Sequence, residues 1–72
     1  MDIKTLKTKE LESQKFLYNG YLERSIFLMK ASEAAMTYQD RKEKLEEAIQ
    51  MGKLMAKVSL RMKELEELVA TL

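Results

Sequence analysis

The chain has 72 residues, 46% apolar and 35% charged, with a formal net charge of +1 and no cysteine, histidine or tryptophan. That length allows one small domain, whose core alone supplies about 3–5 kcal/mol of net stability, and the apolar fraction is too high for a disordered tail. The missing residue types exclude a disulfide framework, a Cys/His zinc site, a thiol nucleophile and an imidazole base, and the near-neutral charge argues against a general nucleic-acid binder.

The opening MDIKTLKTKE has no apolar run behind its lysines, and no uncharged stretch of the chain is long enough to span a bilayer. A cytoplasmic location is the expectation. Met1 to Lys9 reads as a frayed helix start or a short arm. A first helix is expected over about residues 8–31, with Thr8 as a candidate N-cap and Glu10 and Glu12 in a first turn where negative charge suits the helix dipole. Leu11, Tyr18, Leu22, Met29 and Met36 fall on one face, with Ser25 and Ser32 at the intervening seam positions. Phe16, Leu17, Tyr21, Phe27 and Leu28 widen that face into an adjoining stripe, so this helix carries more apolar surface than one neighbour covers. Asn19-Gly20 is a turn dipeptide that would break the helix, at a cost of about 1 kcal/mol for an interior glycine. The stripe nevertheless stays in helical phase across it, which favours a continuous helix with Gly20 as a point of close packing.

The connection falls at about residues 32–38. Ser32 followed by Glu33, or Thr37 followed by Asp40, would each make an N-cap with an acidic first turn. Neither glycine nor proline dictates a tight turn here, and Ala31, Ala34 and Ala35 are strong helix formers, so one long bent helix is the alternative. A second helix over about residues 39–70 opens with Asp40, Arg41, Lys42, Glu43 and Lys44. Its seam is regular: Ala48, Met51, Met55, Val58, Met62, Leu65, Val69 and Leu72 recur at alternating intervals of three and four. Glu46 can reach Lys42 or Gln50, a contact worth a few tenths of a kcal/mol, and these charges read most simply as a solvated face. The fold class expected is all-α, a helical hairpin of two long amphipathic helices.

Phosphate and cofactor signatures are absent: the chain has no glycine-rich phosphate loop, no HExxH and no nucleophile turn. Asp40, Glu43 and Glu47 are the only acids worth considering as metal ligands, and three acids along one helix are more simply surface, since a site needs ligands converging from several elements. No catalytic residue, cofactor or metal is expected, and no enzymatic activity. The methionines are more telling. Met51, Met55 and Met62 lie on the second seam and Met29 and Met36 on the first helix, where flexible thioethers suit either a hairpin interior or an adaptable binding surface.

Tyr38-Gln39, followed by Leu45-Glu46-Glu47-Ala48-Ile49 inside the second helix, resembles the small co-chaperones of type III secretion needle subunits. The similarity covers residues 38 to 60, about a third of the chain, and the glycine- or aspartate-marked turn common before the Tyr-Gln in that family is missing here. The resemblance implies a helical hairpin that binds a TPR-like helical chaperone subunit and, with it, holds the needle subunit in the cytoplasm before export. Carried onto this chain, it puts the partner-binding residues on the second helix: Tyr38, Leu45, Ile49, Met51, Met55, Val58, Met62 and Leu65. The residues alone leave another reading open, a homo-oligomeric helical bundle that regulates or adapts RNA or another protein. Lys42, Lys53, Lys57 and Arg61 would be a partial basic ladder for the RNA version.

Overall fold

The computed structural model describes residues 2–72, which form two antiparallel α-helices, α1 (Ile3–Ala34) and α2 (Tyr38–Thr71), packed side by side in a rod of 53 × 15 × 12 Å. The all-α hairpin read from the sequence is the fold, and the alternative of one long bent helix is not. Both helices run further than expected, and the connection narrows to residues 35–37.

The start of α1 is set by Asp2 rather than Thr8. The Asp2 side chain accepts a hydrogen bond from the Thr5 backbone N–H at 2.7 Å, satisfying one of the amides that a helix start leaves unpaired. Thr8 lies inside the helix, its hydroxyl donating back to the Lys4 carbonyl at 2.8 Å. The segment expected to be frayed is therefore helical from Ile3. α1 also passes through Asn19-Gly20 without a break. Gly20 does not mark close packing, since a Cβ there would meet nothing within 4 Å.

Of the two caps considered for α2, Thr37 is the one used. Its hydroxyl accepts from the Asp40 N–H at 3.1 Å, and Asp40 adds negative charge at the positive end of the helix dipole. Ser32 is buried near the end of α1 and donates to the Met29 carbonyl instead. The turn needs no glycine because no described residue adopts a positive φ; Ala35 and Thr37 are both extended. Arg41 reaches back from α2 to the Ala35 carbonyl at 3.4 Å, tying the two ends of the turn together.

Packing follows the α2 seam as expected. Ala48, Met51, Met55, Val58, Met62 and Val69 are half-buried and Leu65 is fully buried, all turned toward α1, while Leu72 at the end of the chain is exposed. The α1 seam differs from the expected one. Its inward residues are Leu11, Gln14, Tyr18, Tyr21, Ser25, Leu28 and Ser32, again at alternating intervals of three and four, with Ala35 continuing the spacing into the connection. Tyr21 and Leu28, read as part of an adjoining stripe, point inward, whereas Leu22, Met29 and Met36 are exposed. The seam takes residues three positions after Leu11, Tyr18 and Ser25 rather than four, a helical rotation of about 100°. Polar Gln14, Ser25 and Ser32 thus occupy positions where the hairpin core would otherwise be apolar. Only Leu11, Leu28 and Leu65 are buried apolar residues among those described.

Candidate functional site

The two long sides of the hairpin have different chemistry. Along one side the helices are bridged by ion pairs. Glu10 on α1 meets Arg61 on α2 at 2.6 Å, and Arg24 on α1 meets Glu47 on α2 at 3.0 Å. Leu17 and Leu54 occupy the corresponding positions between them, and Glu47, Leu54 and Arg61 are all half-buried. Lys7 and Glu64 extend the Glu10–Arg61 pair into a four-residue cluster, with Lys7 at 3.3 Å from Glu10 and Glu64 at 3.4 Å from Arg61. Hydrogen bonds from Arg61, and then from Lys7, hold the Glu10 carboxyl below the usual glutamate range. The same Glu10 contact pushes the Arg61 guanidinium up. Arg24 also lies over the Phe27 ring, 5.3 Å from its centroid.

The opposite side has no such bridge. There α1 presents Leu22, Ile26 and Met29, and α2 presents Leu45, Ile49, Gly52 and Ala56, all exposed. No charged residue falls in the α1 stripe between Asn19 and Met29 or in the α2 stripe between Leu45 and Ser59. Between the helices runs an open groove of about 330 Å³ lined by Ser25, Met29, Leu45, Ala48 and Ile49. Serine and alanine at its floor, where a larger pair would fill the space, leave the groove open. A surface that is exposed, apolar and contiguous over this length is what protein-binding sites present, whereas isolated exposed apolar residues are ordinary.

The residues expected to bind a partner divide between the two environments. Tyr38, Leu45 and Ile49 are exposed, the last two on the uncharged flank and Tyr38 at the turn. Met51, Met55, Val58, Met62 and Leu65 form the inner seam against α1, so a second protein reaches them only where they are left half-covered or where the hairpin opens. Sequence reasoning missed Ile26, Gly52 and Ala56. The signal that finds Gly52 and Ala56 is the run without charge beside the seam, which a search for apolar residues alone passes over because glycine and alanine contribute little to it, while Ile26 falls in phase with Leu22 and Met29.

The acids considered for metal binding are engaged separately. Asp40 lies 3.9 Å from Lys44, Glu43 accepts from the Gln39 amide at 3.0 Å, and Glu47 is held by Arg24. Arg61 is committed to Glu10 and Glu64, which removes the last rung of the basic ladder. None of the described helices is long and apolar enough to cross a membrane. Comparison with protein-family models, curated proteins and solved structures gave no match.

Proposed function

We propose that this chain is a non-catalytic docking protein, a chaperone component that binds a TPR-like helical subunit and with it keeps a type III secretion needle subunit soluble before export. The observation that carries the docking role is the uncharged flank: a hairpin of this size leaves Leu22, Ile26, Met29, Leu45 and Ile49 exposed on one continuous side. An apolar groove between two helices suits the apolar face of another helix. The choice of partner rests on the resemblance at Tyr38-Gln39 and Leu45-Glu46-Glu47-Ala48-Ile49. Three exposed residues of that run, Tyr38, Leu45 and Ile49, are free to touch a second protein without disturbing the hairpin. On this reading Tyr38, Leu45 and Ile49 make the first contacts, and Met51, Met55, Val58, Met62 and Leu65 join them only where the hairpin opens.

The test is co-purification of the full chain from its own cell followed by identification of the bound proteins, with Ile49→Glu beside the unaltered chain. A TPR-like helical protein and a needle subunit should accompany the unaltered chain and be lost with the variant. A needle chaperone role is excluded if neither protein is captured, or if Ile49→Glu captures both as well as the unaltered chain does. The RNA-binding alternative is disfavoured by the engagement of Arg61 with two carboxylates.

A further inference from the structure

The uncharged flank is uneven along α2. Its bulky residues, Leu45 and Ile49, lie toward the turn, and its small ones, Gly52, Ala56 and Ser59, follow toward the middle of the helix. A bulky half followed by a small half is complemented by the same helix running the other way. With a two-fold axis passing between Ile49 and Gly52, Ile49 of one copy falls on Gly52 of the other and Leu45 falls on Ala56, twice over. Gly52 has the room for this, because nothing lies within 4 Å of where its Cβ would be.

Charge and area agree with this arrangement. The same axis brings Glu46 of each copy toward Lys53 of the other along the rim. Both side chains are exposed, and neither has an ion pair among the described residues of its own chain. A net charge of +1 per chain gives little repulsion between copies. The hairpin exposes 5521 Å², whereas a compact monomer of its 8.4 kDa mass exposes about 4,600 Å². The excess of about 900 Å² is close to the roughly 800 Å² that each partner contributes to a stable protein interface.

We propose that a second copy of this chain covers the uncharged flank, in an antiparallel α2-to-α2 contact centred between Ile49 and Gly52 that makes a two-fold four-helix bundle. The dimer is a property of the chain alone. That it and a helical partner exclude each other on this flank rests on the function proposed above.

Sedimentation equilibrium of the purified full chain over a range of concentrations reads the dimer directly, with circular dichroism alongside. The unaltered chain is expected at twice its 8.4 kDa mass at the upper concentrations. Ile49→Glu places a charge in the contact and should raise the dimer dissociation constant about tenfold or more. Gly52→Leu should weaken the dimer while helicity holds or rises, because leucine favours helix and fills the space that Ile49 of the other copy needs. Glu46→Lys and Lys53→Glu should each weaken it, and the two together should restore it. If the hairpin is stable only as a dimer, the single charge variants lose helicity and the double reversal regains it. A monomer throughout the soluble range overturns the proposal, and so does a dimer that the double reversal fails to restore. Since no other protein is present in these measurements, failure here leaves the captured-partner result untouched, and the reverse holds.

Discussion

Leu28 and Leu65 have no accessible surface at all, one on each helix, in a hairpin with only three buried apolar side chains among the described residues. Replacing Leu28 with alanine removes buried methyl groups and leaves a cavity, at a cost of about 2–5 kcal/mol. The core of a chain of 72 residues supplies about 3–5 kcal/mol of net stability. A loss of about 3 kcal/mol therefore removes most of the folding free energy. With a denaturant slope of about 1 kcal/mol/M in urea, the smallest value usual for small proteins, the midpoint should fall by about 3 M. The control is Ile26→Ala on the same helix. Ile26 is 45% exposed, and two residues separate it from Leu28, about 200° of helical rotation. It should shift the midpoint by no more than about 0.5 M, as an exposed substitution costs about 0.5 kcal/mol or less. Urea unfolding followed by circular dichroism, in solution dilute enough to keep the chain monomeric, measures both. Equal shifts for the two variants would refute the α1 seam described here.

Gly20→Ala should stabilise the monomer by about 0.5–1 kcal/mol, because the position is helical, exposed and open around the added Cβ; thermal unfolding checks it, and a lowered melting temperature contradicts the open surroundings. Acid should weaken the hairpin through Glu10. Its folded pKa is lowered, chiefly by the hydrogen bond from Arg61, so its contribution is complete above the ordinary value of 4.5 and is lost as pH falls through the lowered folded value. In urea midpoints measured against pH, Glu10→Gln should flatten the decline below pH 4.5; identical slopes for the variant and the unaltered chain would remove Glu10 from the explanation.

The two helices were not equally legible in the sequence. On α2 every seam position from Ala48 to Leu72 is apolar, so the three-four spacing and the hydrophobic pattern give the same answer. On α1 they disagree. The inward positions include Gln14, Ser25 and Ser32, while Leu22, Met29 and Met36 lie one residue further round, and following the apolar residues rotates the helix onto its flank. The same ambiguity affected the caps, because Ser32-Glu33 and Thr37-Asp40 carry the same local signal. Burial of Ser32 against α2 decides between them, and that is a tertiary fact which no window of the sequence contains. The flank itself was readable only as a surplus of apolar surface. Its location depended on knowing which α1 residues the hairpin had already used.

The ion pairs mark one side of the hairpin with charge between the helices, although apolar residues are also exposed away from the flank, Phe16, Phe27 and Leu60 among them. Glu10–Arg61 and Arg24–Glu47 involve side chains that remain partly exposed, and such pairs contribute little to stability. Their spacing does more than their strength: two bridges of opposite polarity, one Glu-to-Arg and one Arg-to-Glu, are satisfied together in one register and meet like charge when α1 is reversed against α2. Closing that side with charged residues turns Glu47, Leu54 and Arg61 partly inward and leaves Leu45, Gly52 and Ser59 outward. The open flank is thus the side opposite the ion pairs that match this register. With three buried leucines among the described residues, the fold has little margin to expose Leu22, Ile26, Met29, Leu45 and Ile49 to water, so anything that binds that flank in the folded state adds to the stability of the hairpin.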